Sequence, residues 1–218
     1  MSLFQPSAET LEEVISTRRH LHQHPELSLE EYQTSAFIRQ RLQELGLTLH
    51  PSPTPTGVIA TLASGRTGRR VMLRADIDAL PIQENSGVDF PSQTEGKMHA
   101  CGHDAHIAIL LGVARTLTEQ ADQLTGTYIF CFQPAEEGAG GARAMIEGGL
   151  LTQHQPDVVI GLHIVSFLPN RTVVTRPGMM WAGADSFELA ITGPGGHGAL
   201  IKQQGNVIAA QAHLLQQP

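Results

Sequence analysis

The chain is 218 residues long and carries 14 Lys and Arg against 21 Asp and Glu, a formal net charge of −7. That length is ample for a hydrophobic core, while the acidic balance without a Lys/Arg cluster argues against a nucleic-acid partner. Two Cys exclude a disulfide framework, and no apolar run approaches the ~18 residues that a membrane span needs.

The opening MSLFQPSAETLEEVIST is acidic and lacks the basic-then-apolar order of a signal peptide, so a cytoplasmic protein is expected. Thr10 and Glu13 form a T-x-x-E box, and Leu11, Val14, Ile15 and Leu21 follow at helical spacing, which predicts a helix ended by Pro25. Ser28 with Glu31 opens a second box, Tyr32, Ala36, Leu42 and Leu45 share one face, and Gly46 stops it. After a Pro-rich loop over 51–57, two β-rich segments are expected at Val58–Ala63 and Arg70–Asp76, split by the turn Ser64–Gly68.

His103–Leu117 reads as a helix with a strongly apolar face, Thr127–Gln133 as a buried strand and Ala139–Glu147 as a helix. Asp157–Ile160 and Arg171–Thr175 read as further strands. The alternation predicts an α/β layered domain, a central sheet flanked by helices. Near Gly178 the character changes: a strand at Ser186–Thr192, a Gly-rich turn at Gly193–Gly198 and a helix at Asn206–Leu215. One strand and one helix bury little between them. Residues 179–218 are therefore expected to open a second domain.

Several strand ends carry groups suited to chemistry. Asp76 and Asp78 follow RRVMLRA, at the end of a strand where open α/β sheets bind ligands; the pair could equally start a turn before Pro81. His99, Cys101, His103 and His106 crowd MHACGHDAH, and thiolate with imidazole suits borderline-soft divalent metals. Cys101 and His103, separated by Gly102, are the stronger ligand candidates; His106 falls on the helix and fits a supporting or packed role as readily as that of a ligand. Glu136 and Glu137 follow TYIFCFQ, where one acid can bind metal while its neighbour acts as general base, or both can favour the next helix's N-terminus. His163 follows the apolar VVI. His197 lies in GPGGHGA, which lacks the Lys of a P-loop. Cys131 reads as core, and His20, His22, His24, His50, His154 and His213 as surface.

Taken together, RRHLHQHPELSLEE, RADIDALPIQE, MHACGHDAHIAILLG, FQPAEEGAGGARAMIEGG, GLHI and GPGGHGA closely resemble the M20 metallopeptidase-type amidohydrolases, in their N-acyl-amino-acid branch. The resemblance covers nearly the whole chain. It implies an α/β catalytic domain over 1–178 without its closing strands, and over 179–218 the start of an α+β lid that makes a homodimer contact. It also implies two divalent metal ions (Zn, Mn, Co or Ni) held by Cys101, His103, Glu137 and His163. Glu136 matches the family's general base and Asp78 the Asp that orients a metal-site group. His197 matches the lid His that holds the substrate's oxyanion or carboxylate.

Two departures stand out. Family members run close to twice this length and take a last ligand His from beyond it. Where the family continues after G-G-H-G-A with Pro, His and Asp-Pro, this chain has Ile201, Lys202, Asn206 and Val207. The expected activity is metal-dependent hydrolysis of the amide bond of a small N-acyl amino acid. The alternatives are a dipeptidase or aminopeptidase of the same superfamily and a non-catalytic metal- or ligand-binding homologue.

Overall fold

Ser7 starts the first helix. Its Oγ accepts the Thr10 amide at 3.1 Å, satisfying one of the donors a helix N-terminus leaves open. Helix α1 thus spans Ala8–Gln23, and Thr10, expected as its cap, sits inside the first turn with its side chain buried. The second expected cap also differs. Helix α2 (Tyr32–Glu44) is preceded by Glu31 with no side-chain cap, because the Ser28 hydroxyl is given to Asp78 and the Glu31 carboxylate to the Ala135 amide. The computed structural model describes residues 4–181, 188–200 and 206–216, which fall into two units, Met1–Phe167 and Leu168–Pro218.

The first unit holds one five-stranded sheet: β1 (Thr48–His50), β2 (Val58–Ala63), β3 (Arg70–Asp76), β4 (Thr127–Gln133) and β5 (Val158–Gly161), in the order β1-β2-β4-β3-β5. β1 and β2 run antiparallel to their neighbours, whereas β3 is parallel to both β4 and β5. In register, Asp76 pairs with Gln133 and Arg74 with Gly161. The segments that follow β3, β4 and β5 therefore leave the sheet at one edge, where parallel sheets place their ligand sites.

Helix α3 (His103–Glu119) covers one face of the sheet with Ile107, Leu110, Leu111, Ala114 and Leu117, which join Leu21, Ile38, Leu42, Phe130 and Phe132 in the main core. On the other face Ile59, Met72, Ile129 and Cys131 pack with Met145 and Leu150 of α4 (Gly141–Glu147) and α5 (Leu150–His154). Helix α4 begins two residues later than the composition suggests, since Gly140 is left-handed at φ 74° and cannot be part of it.

In the second unit Asn206 caps α6 (Val207–Leu215), its Oδ1 accepting the Ala209 amide at 3.0 Å. The strand expected at Arg171–Thr175 is not formed: Arg171 is left-handed at φ 64°, and the segment pairs with no strand among the described residues. Of the strand expected at Ser186–Thr192, Ser186 and Phe187 lie outside the described residues, and 188–192 are not in a strand. Ile201 and Lys202 also lie outside them. No helix among the described residues is long and apolar enough to cross a membrane.

Candidate metal centre

Three chain segments meet where β3, β4 and β5 end. Gly102, left-handed at φ 85°, lets the chain turn sharply between Cys101 and the first residue of α3, His103. The His103 ring is wholly buried, and its Nδ1–H donates to the Asp78 carbonyl at 2.8 Å. That bond sets the tautomer, so the Nε2 lone pair faces the opposite side. There it meets Asp76 Oδ2 at 3.7 Å, Glu137 Oε1 at 3.8 Å and Glu136 Oε2 at 3.9 Å.

From the β5 side comes His163. Its Nδ1 donates to the Ile164 carbonyl at 2.5 Å, and its Nε2 lies 3.4 Å from Cys101 Sγ. Ligand atoms of Cys101, His103 and His163 lie within 4.8 Å of one another, as do those of His103, Glu136 and Glu137. His103 belongs to both groups, so five of the seven residues to which the family resemblance gives a role share one locality.

Asp78 stands behind that cluster. Its Oδ2 accepts from Ser28 Oγ at 2.6 Å and from the Glu137 amide at 3.0 Å. Burial raises its pKa, yet the bonds from His103, Ser28 and the Glu137 and Glu136 amides outweigh burial and hold it far below the usual carboxylate range. The ionised Asp78 thus ties α3 to the acidic turn.

That turn is fixed from two more directions. The buried Glu31 carboxylate accepts the Ala135 amide at 2.8 Å, and the Gly141 amide donates to the Ala135 carbonyl at 3.0 Å. Ala135 is itself left-handed, at φ 54°, a conformation an L-residue keeps only where its surroundings impose it. Gly141 is required by proximity: a Cβ there would lie 1.8 Å from the Pro134 carbonyl oxygen.

The donor set suits a divalent cation. Without one, His103 Nε2 and Glu137 Oε1 are buried and have no hydrogen-bond partner among the described residues, a costly state for polar atoms. Burial, followed by Glu137, Glu136 and Asp76, pushes the Cys101 thiol up to about 12. The locality carries a surplus of negative charge that a cation would relieve. Cys, His and Glu are also the ligands that borderline divalent metals take.

Asp76, singled out with Asp78 from the sequence, belongs to the cluster through His103 and His106. Sequence reasoning did not foresee every participant. His22, expected at the surface, is 5% exposed. It bridges Asp104 Oδ2 at 2.8 Å and Glu84 Oε1 at 3.1 Å, with Arg18 Nε a further 3.3 Å from Asp104. The motif RRHLHQH held no hint of this, because the partners are 82 and 62 residues away. His154 is likewise buried, whereas His20, His24 and His213 are exposed and Cys131 lies in the core. His197 lies in the second unit, exposed, its Nδ1 accepting the Ala199 amide at 3.2 Å.

A layered α/β domain with such a cluster at its sheet edge defines a metallohydrolase-like scaffold, and comparison with known proteins narrows it. Residues 72–217 match the model of peptidase family M20/M25/M40, and the chain belongs to that family. It is 48% identical over 192 residues to N-acetyl-L-cysteine deacetylase of Bacillus subtilis (strain 168), covering 88% of this chain and 46% of that protein. Against N-acyl-L-amino acid amidohydrolase of Geobacillus stearothermophilus the identity is 44% over 208 residues, 95% of this chain and 56% of the relative. Thermostable carboxypeptidase 2 of Saccharolobus solfataricus is 43% identical over 189 residues, 85% of this chain and 48% of the other.

Among solved structures, the fold matches the Bacillus subtilis YXEP protein, described as a dinuclear metal binding peptidase from the M20 family. The TM-score is 0.70 at 42% identity, over 74% of this chain and 45% of that one. The chain spans about half the length of the curated relatives it matches.

Proposed function

We propose that this chain supplies most of a binuclear metal centre for hydrolysing the amide bond of N-acyl amino acids. The observation that carries the reading is the buried, partnerless His103 Nε2, with three carboxylates within 4 Å and the Cys101–His163 pair beside it. The names of the B. subtilis deacetylase and the G. stearothermophilus amidohydrolase support the substrate class.

Cys101, His103, Glu137 and His163 would hold the ions. Held there, divalent ions would supply Lewis acidity toward the scissile carbonyl and a water made nucleophilic at neutral pH. Glu136 is the general base. Its side chain is 41% exposed against 21% for Glu137, so it can reach solvent and substrate while its neighbour faces inward. It takes the attacking water's proton and returns it to the departing amine, so the bond to nitrogen breaks without releasing an amide anion. Asp78 keeps His103 and the Glu137 backbone in place. His197, on the lid part of a 1–178/179–218 division, would bind the substrate's oxyanion or carboxylate, with the lid also forming a homodimer contact in a cytoplasmic enzyme.

Elemental analysis after dialysis without chelator tests the centre: near two equivalents of metal per chain is expected, and near zero would overturn it. In the protein carrying this site, Glu136→Gln is expected to abolish hydrolysis of hippurate at unchanged metal content; surviving turnover would remove Glu136 from the base role. The carboxypeptidase name among the relatives favours a peptidase as the second reading. A simple dipeptide cleaved faster than hippurate would establish it.

A further inference from the structure

His106 is 1% exposed and stands one helical turn after His103 on α3, so both rings look toward the same sheet edge. Its Nδ1 lies 2.5 Å from Asp76 Oδ1, and its Nε2 lies 3.0 Å from the Ile164 amide nitrogen. A backbone amide can only donate, so Nε2 must be the acceptor and the ring proton must sit on Nδ1, where Asp76 accepts it. Both nitrogens are thereby used. His106 cannot be a metal ligand in this arrangement, although Asp76, His103 and His106 bring three ligand atoms close together.

The group at the far end of this relay matters. The β3–β5 ladder ends at Arg74 and Gly161, and β5 is an edge strand. Two residues past the ladder is His163, exposed, with neighbouring side chains Leu162 and Ile164 about two-fifths exposed. Among the described residues the sheet pairing does not reach this stretch. Helix α3 and the turn before it supply anchors for it. The Ile164 amide is held by His106 Nε2, and the Ile164 side chain rests on Gly102, where a Cβ would lie 2.4 Å from Cδ1. The second contact falls on the turn between Cys101 and His103, and the first lies one helical turn further along α3. Meanwhile the Ile164 carbonyl accepts from His163 Nδ1 and turns that ring's Nε2 toward Cys101.

On the metal-centre reading above, we propose that His106 is a positioning residue. Locked by Asp76 in its Nδ1–H tautomer, it clamps the Ile164 backbone and so holds His163 in register with Cys101. Ligand geometry at a metal is set as much by such supporting bonds as by the ligands themselves.

Two variants separate this role from packing. In His106→Gln the side-chain carbonyl can accept the Ile164 amide without help from Asp76. In His106→Asn the amide can donate to Asp76 but is too short to reach Ile164. Cobalt(II) affinity is expected to stay within about threefold of wild type in His106→Gln and to fall roughly 10–100-fold in His106→Asn, at similar thermal midpoints. An Asn variant that binds cobalt as tightly as wild type overturns the proposal.

The metal-free wild-type chain gives a second measurement that needs no variant. Nitrogen-15 NMR should show His106 as the Nδ1–H tautomer with the Ile164 amide slow to exchange; an Nε2–H tautomer overturns the proposal. If wild type shows that tautomer and a protected Ile164 amide yet binds no cobalt, the His106 brace stands and the metal-centre reading falls.

Discussion

At the end of β3 and the start of α3 the site is walled in: Asp76 and His103 are wholly buried, Asp78 and His106 are 1% exposed, and each is held by at least one bond from another segment. At the end of β5 the surroundings reverse. Val159 and Ile160 are 53% and 51% exposed, and His163 projects from a stretch beyond the last ladder pair. The contrast separates two properties that often travel together. On the buried side, the geometry of the proposed ligands depends on the same bonds that hold the fold. On the β5 side a proposed ligand, His163, is expected to be replaceable while the fold remains.

The largest effect should come from the buried side. His103→Ala removes the residue shared by both ligand groups and leaves the Asp76 and Asp78 carboxylates facing a void. Urea unfolding should show a loss of about 3–5 kcal/mol together with loss of bound metal. His163→Ala probes the other side: metal affinity should fall about tenfold or more, while unfolding stays within ~0.5 kcal/mol of wild type, as for exposed positions generally. Equal stability losses in the two variants would erase the contrast.

A pH series sharpens it further. The bond to Asp104 leads the influences on His22, and with Glu84 it outweighs burial, so the folded pKa lies above the ordinary 6.5. The stability that His22 contributes is therefore complete below pH 6.5 and is lost as pH rises through its folded value. Urea midpoints measured upward from pH 6 should decline, and His22→Gln should flatten that decline; an unchanged slope would exclude His22 as its source. The smallest effect is expected at the exposed edge, where Ile160→Thr should shift the unfolding free energy by no more than ~0.5 kcal/mol.

Much of this was legible in the sequence because its signals are local. Apolar runs such as TYIFCFQ and VVI mark strands, and acids or His placed just after them land at the sheet edge without knowledge of the topology. Gly102 between Cys101 and His103 announces the sharp entry into α3. What stayed hidden depends on pairing across the chain. Ser28 and Glu31 have the spacing of a capping box, but Asp78 and Ala135 outcompete the helix terminus for their side chains. His22 looks like one polar residue among many in RRHLHQH until α3 brings Asp104 against it. His106 was recognisable as a helix residue near the site, yet its second partner is a main-chain amide 58 residues on, which no side-chain pattern encodes.

The close fit of Gly141 behind the acidic turn bears on how sequence variants of this protein should be interpreted. At the start of a helix, replacing Gly by Ala normally gains roughly 0.5–1 kcal/mol by stiffening the unfolded chain. Here the added methyl group would push against the Pro134 carbonyl, two residues before Glu136, and the benefit would turn into damage at the proposed site. A survey that scored this position by helix preference would rank the change as an improvement; scored by the backbone it presses upon, it is a candidate loss-of-function allele that alters none of the proposed metal-binding or catalytic residues.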